Sequence, residues 1–159
     1  HFFRKIGKTV LYCWLDPYGV GYHNLLVSPQ NNGCYMCMNY EDGHLVNNRA
    51  SFAEKNQIFE KRLASCYSSF IPYNVIAPSS LANKAIEVYL QYLDGEFSSE
   101  NRLVSEIGSD KQFEKEGFTY SVRYYNCLKN SDLLNVALRI NKSCPECNGE
   151  YKVDICKSE

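Results

Sequence analysis

Two stretches near the start of the chain, residues 8–15 and 20–27, are rich in β-branched and aromatic residues. Between them stands Asp16-Pro17-Tyr18-Gly19. Asp opens a type I turn, Pro presets φ at the second position and Gly tolerates the exit conformation, so the pattern predicts a β-hairpin. Residues 28–33 then read as a loop, and residues 34–40 as a short strand that Glu41-Asp42-Gly43 ends.

The period changes after residue 50. Ser51-Phe52-Ala53-Glu54 has the form of a capping box, and Phe52, Phe59, Leu63 and Cys66 share one helical face. A helix over 51–67 is predicted. Residues 81–93 fit two templates. Leu81, Ala85, Val88 and Tyr92 suit a helix, whereas Ile86, Val88, Leu90 and Tyr92 alternate as a strand. The strand is preferred for the distal half because Ile, Val and Tyr favour pleated surfaces. From Arg102 onward alternation dominates. Phe118, Tyr120, Val122 and Tyr124 oppose Thr119, Ser121, Arg123 and Tyr125; residues 134–140 and 151–156 repeat the scheme. One apolar and one polar face per strand marks antiparallel pairing. The predicted fold is α+β: mainly antiparallel sheet or sandwich with one or two helices, disulfide-stabilised, in a single domain over 1–159. Pro78–Ser80 is the candidate subdomain boundary.

Composition narrows the function classes. Formal net charge is −1 and the sequence pI is about 6.4, so no basic excess marks a nucleic-acid binder. The longest apolar run, residues 10–15, is far short of a membrane span. Tyrosine is abundant, at 13 residues, and suits both strands and binding surfaces.

Eight cysteines, at 13, 34, 37, 66, 127, 144, 147 and 156, carry the sharpest chemistry. An even count spread along the chain predicts disulfides and an oxidising compartment. Cys127 and Cys156 share a polar-face phase and are the expected C-terminal pair; Cys13 and Cys66 are matched between hairpin and helix. The alternative is a zinc site. Cys34-Tyr-Met-Cys37 and Cys144-Pro-Glu-Cys147-Asn-Gly are two CxxC pairs that could form a four-thiolate tetrahedron. Against it, 106 residues lie between Cys37 and Cys144, beyond zinc-ribbon spacing. Asn141-Lys142-Ser143 is an N-glycosylation acceptor. The first residue, His1, fits a mature chain whose leader is gone, or equally a trimmed one. His23 and His44 read as surface or hydrogen-bonded histidines. No nucleophile elbow, phosphate loop, dinucleotide fingerprint, zincin or EF-hand motif is present.

In the order of its elements, the second half resembles the cystatin and cathelin-like arrangement. A helix over 81–93 would be followed by strands near Arg102, Phe118, Leu133 and Glu150, with cysteines near the end. The QxVxG inhibitory signature of cystatins is absent, since Ser105-Glu106-Ile107-Gly108 does not supply it.

The functional expectation is a secreted recognition domain that binds a protein partner, as a receptor ectodomain, ligand or effector. Arg123, Tyr125 and Arg139, on the polar face of the C-terminal sheet, are the candidate contact residues, because Arg and Tyr tend to dominate interface energetics. The alternatives are a cytoplasmic, zinc-stabilised interaction domain using Cys34, Cys37, Cys144 and Cys147, and a carrier of lipids or small molecules.

Overall fold

A computed structural model describes residues 3, 6–41, 44–45, 49–62, 69–138 and 140–148. The chain runs through β1 (Val10–Leu15), β2 (Gly21–Val27), α1 (Tyr35–Asn39), β3 (Tyr40–Glu41), β4 (His44–Leu45), β5 (Lys61–Arg62) and β6 (Ser69–Phe70). It continues through α2 (Ile76–Leu93), β7 (Arg102–Ile107), α3 (Lys111–Lys115), α4 (Val122–Lys129), β8 (Asn135–Ala137) and α5 (Pro145–Asn148). The fold is α+β, built on a four-stranded antiparallel sheet in the order β1-β2-β7-β8. Among the described residues no cysteine is joined in a disulfide, so the expected disulfide stabilisation is not seen there.

The predicted hairpin forms, with Val10 opposite Val27 and Leu15 opposite Tyr22. Its turn differs from type I. Tyr18 adopts φ +61°, where a type I turn keeps φ negative. A left-handed tyrosine is strained by roughly 1–3 kcal/mol. Burial offsets this, because the ring is held between Phe113 and Phe118 and its N–H donates to the Pro72 carbonyl.

Every residue of β2 is buried, so the strand is covered on both faces. On one side Leu26 packs with Val104, Phe97 and Val88 of α2. On the other, Leu25 and Val27 pack with Leu103, Met38 and Ala50, and with the half-buried Val136 and Leu138. A third cluster, around Phe52, Phe113, Tyr124 and Tyr18, closes the hairpin end.

Four sequence expectations fail. Residues 81–93 are helical throughout, and α2 extends back to Ile76 across the 78–80 position. Asn74 Oδ1 accepts from the N–H groups of Ile76 and Ala77 and caps this helix. The strand-like signal arose because Ile86, Tyr89, Leu90 and Leu93 leave an apolar outer face in water.

Residues 122–129 are helix α4, not strand. Ser121 Oγ accepts from the Tyr124 N–H and donates to the Ser51 carbonyl, so this serine starts the helix and anchors it. The cystatin-like order therefore breaks at 118–125.

The 51–67 helix is absent from its described part. Ser51 Oγ binds the Ala53 N–H in a local turn, Asn56 is left-handed at φ +66°, and the segment pairs with 119–121 instead. Gln57 completes that pairing through both ends of its amide, to Thr119 and Glu54. Residues 34–40, expected as a strand, form α1 at 35–39. The expected strand at 151–156 lies outside the described residues.

Gly21 is tightly packed between side chains. A Cβ there would lie 2.5 Å from Asp16 Oδ2, 2.7 Å from the Phe52 ring and 2.9 Å from His23 Nε2. Gly21→Ala should therefore destabilise the fold by about 2–3 kcal/mol in urea titrations, as overpacking does. Gly95→Ala, at φ +85° but facing open space, should cost only about 1 kcal/mol.

Candidate metal centre and the cleft beside it

The two CxxC pairs, far apart in the chain, meet in space. Cys34 and Cys37 flank the start of α1; Cys144 and Cys147 flank the start of α5. The sulfurs lie 3.9 Å apart for Cys34–Cys37, 3.6 Å for Cys34–Cys144 and 3.4 Å for Cys37–Cys147. All four fall within 4.8 Å of one another. A tetrahedron with Zn–S bonds of ~2.3 Å has edges of about 3.8 Å, so the sulfur cage has the size of a tetrathiolate zinc site.

Each pair is shaped as a knuckle. The Cys37 N–H bonds the Cys34 carbonyl, and the Cys34 N–H points at Cys37 Sγ at 3.4 Å. The backbone N–H of Asn141 also bonds the Cys37 sulfur, and the backbone N–H of Cys147 bonds the Cys144 sulfur. Amide donors aimed at sulfur stabilise thiolate over thiol. The Cys37 thiol is pulled down to about 4, first by its bond with Cys34. Cys34 is pushed up by the same bond and by burial, and burial also raises Cys144. Protons crowd onto some sulfurs so that others can ionise, as in any cluster of like acids held together.

The sequence did not show what brings the knuckles together. Asn101, wholly buried just before β7, binds both approaches. Its Nδ2 donates to the carbonyls of Asn32 and Gly33, and its Oδ1 accepts from the Ser28 N–H. Its own carbonyl accepts from the Leu138 N–H. One residue thus fixes the loop into Cys34 and the strand end that leads on to Cys144. Gly33, at φ +88° against Leu138, allows the close approach. An Asn before a strand is a detectable signal only if its buried partners are known.

The other candidate residues are dispersed. Arg123 lies in the first turn of α4 rather than on a strand. Its Nε donates to the Ala50 carbonyl, and its Nη2 donates to the Leu133 carbonyl and to Ser105 Oγ. The guanidinium also lies over the Phe52 ring, 5.8 Å from its centre. Burial lowers the Arg123 pKa. Tyr125 is exposed and meets Tyr120 and Tyr124 edge-on. Two residues apart on a helix, Arg123 and Tyr125 do not share a face. Arg139 lies outside the described residues.

Cys127 is buried in the aromatic cluster, on a helix and not on a polar strand face, and Cys13 is exposed on β1. Their expected partners, Cys156 and Cys66, lie outside the described residues. Asn141 sits beside the four cysteines, its Nδ2 donating to the Tyr40 carbonyl and its Oδ1 accepting from the Ser143 N–H.

His23 is a buried, hydrogen-bonded histidine. Nε2 meets Asp16 Oδ2 and Nδ1 meets Ser105 Oγ, each at 2.9 Å. These are the residue types of a nucleophilic triad, but the serine is sealed in the sheet and already accepts from Arg123. The arrangement serves packing. Beside the cysteines opens a cleft of about 890 Å³, which runs along β8 and is lined by Arg49, Arg102, Arg123 and Lys142.

Compared with protein-family models, curated proteins and solved structures, the chain finds no match. No helix among the described residues is long and apolar enough to cross a membrane.

Asn101→Ala should loosen both knuckles together. It should cost about 2–4 kcal/mol in denaturant titrations, because several buried backbone groups lose their partners. The reactivity of Cys34, Cys37, Cys144 and Cys147 toward a thiol reagent should rise in the same variant.

Proposed function

We propose that the protein is a zinc-stabilised interaction domain that recognises a protein partner, with Zn²⁺ held by Cys34, Cys37, Cys144 and Cys147. The observation that carries this reading is the convergence of two knuckles, from opposite ends of the chain, on a tetrahedral cage of sulfurs. The four donors, all soft thiols, select zinc over hard cations. With four protein ligands the centre is closed, which makes it structural and not catalytic.

Two further features favour a reducing, cytoplasmic setting over a secreted one. Thiolate ligation requires reduced cysteines. The Asn141 amide, needed free for glycosylation, is spent on the Tyr40 carbonyl beside the centre. An interaction role fits a fold whose Ser105-His23-Asp16 set is sealed and whose cleft beside the cysteines is lined by cations rather than by an acid–base pair.

Metal analysis of protein purified in reductant should find a single zinc per chain, and Co²⁺ replacement should give the intense thiolate-to-metal absorption of a tetrahedral site. Removing the metal with a chelator should lower the melting temperature. Acidification should do the same, because protons compete for the thiolates and affinity falls as pH falls. A metal-free chain whose intact mass shows these four cysteines oxidised would overturn the zinc reading and restore the secreted, disulfide-bonded one.

A further inference from the structure

We infer that the cleft along the outer edge of β8 receives an extended acidic peptide of a partner protein, added to the sheet as a further strand. This names the binding face of the interaction domain proposed above and rests on that reading.

The first ground is the edge itself. β8 ends the order β1-β2-β7-β8, so among the described residues one of its sides has no strand neighbour. Arg102 stands opposite Ala137 and Leu103 opposite Val136. The Leu138 N–H donates inward, to the Asn101 carbonyl. Backbone groups alternate along an antiparallel strand, so Val136 and Leu138 turn theirs toward β7, and Ala137 turns its N–H and C=O outward. An exposed edge of this kind is what strand addition uses.

The second ground is charge. The cleft is lined by Arg49, Arg102, Arg123 and Lys142 and by no Asp or Glu, although the whole chain carries a net charge of −1. Arg102 is paired with Glu100. Arg123 is not so balanced: its acceptors are two carbonyls and a hydroxyl, and among the described residues none of these bonds uses Nη1. A carboxylate in the cleft would meet a half-buried guanidinium whose direct hydrogen-bond partners are neutral, and charge-assisted pairing is strongest where water is partly excluded.

The third ground is the floor, where Met38, Leu103, Val136 and Leu138 supply apolar surface. A strand alternates its side chains, so those on one face would meet the floor and Arg123, which reaches Ser105 on the Leu103 face, and those on the other would meet Arg102. A small anion would use the cations alone and leave the edge and floor unmatched.

The test uses the zinc-loaded protein and a fluorescent hexapeptide of alternating Glu and Val, with a Lys/Val hexapeptide as control. The acidic peptide should bind with a dissociation constant on the order of 10–100 μM at low salt, and the Lys/Val peptide should not. Ala137→Pro removes only the outward N–H, a change edge strands tolerate, and it should weaken binding at least about tenfold while circular dichroism and zinc content stay unchanged. Arg123→Gln should weaken binding too. If that variant fails to fold, Ala137→Pro decides alone.

Full affinity in Ala137→Pro would overturn the inference, as would competition by inorganic phosphate at the peptide's own concentration, which would mark a small-anion site. Tighter binding of an RNA oligonucleotide would also overturn it. No peptide binding by a folded, zinc-loaded chain would remove the docking site and leave the zinc reading standing. Peptide binding by a folded chain without zinc would do the reverse.

Discussion

A carboxylate taken out of water must be met by donors on several sides, and Asp16 meets that demand by gathering four parts of the chain. Its Oδ2 accepts from the backbone N–H of Phe52 and from His23 Nε2. The His23 ring, with its proton committed to Asp16, accepts at Nδ1 from the Ser105 hydroxyl, which in turn accepts from Arg123. The run begins at a buried carboxylate and ends at a half-buried guanidinium, with neutral groups between them. It crosses from the hairpin turn to β2, to β7 and to α4. Trp14 and Phe52 lie against the imidazole, at 5.2 and 5.0 Å between ring centres, and keep water out. Broken by loss of one member, such a network leaves charge unpaired, which typically costs about 3–5 kcal/mol.

The same network sets the shape of the cleft. Arg123 reaches the last acceptor only because Ser121 starts α4 where it does, and on the way the guanidinium fixes the carbonyls of Ala50 and Leu133. Both Ala50 and Leu133 line the cleft beside β8. At the far end of β8, Asn101 plays the corresponding part with neutral groups, holding the approaches to both knuckles. The cleft therefore lies between two buried polar anchors, one ionic and one amide, and its walls cannot shift without unpairing one of them. That rigidity is what a preformed recognition site requires, since ordering costs are met in folding and not in binding.

How much of this was legible in the sequence follows from the range of each interaction. The hairpin was readable because turn and strand preferences act within a few residues. β7 was legible only as the start of the β-rich stretch from Arg102, since its residues do not alternate cleanly. Segments whose fate is decided by distant partners were misread. The capping-box pattern at Ser51 is local, but Phe52 is drawn into the core by Asp16 and its neighbours pair with 119–121. The alternation over 118–125 suits a strand, yet Ser121 finds Ser51 across the fold and opens a helix. The two CxxC pairs were visible, and so was the zinc alternative. Their meeting was not, because it depends on Asn101, a residue with no distinctive neighbours in sequence. Arg123 was picked out for its residue type and for a strand position it does not occupy.

The separation of the knuckles, which counted against a metal site in the sequence, bears on what such a site would do here. A link between residues about 100 apart removes loop-closure entropy worth roughly 4–5 kcal/mol from the unfolded chain, by the same reasoning as for a long-range disulfide. Cys34 follows the hairpin and Cys144 lies beyond β8, so a metal between them closes a loop that contains β7, β8 and all the helices from α1 to α4. Without a cation, the cage works against itself. Ionising one thiol raises the cost of ionising its neighbours 3.4–3.9 Å away, which adds to the shared bond that holds Cys37 low and Cys34 high and to the burial that holds Cys144 high. A divalent ion at the centre turns that repulsion into attraction for every sulfur at once. The fold around it, with amides already aimed at Cys37 and Cys144, needs no rearrangement to receive the ion.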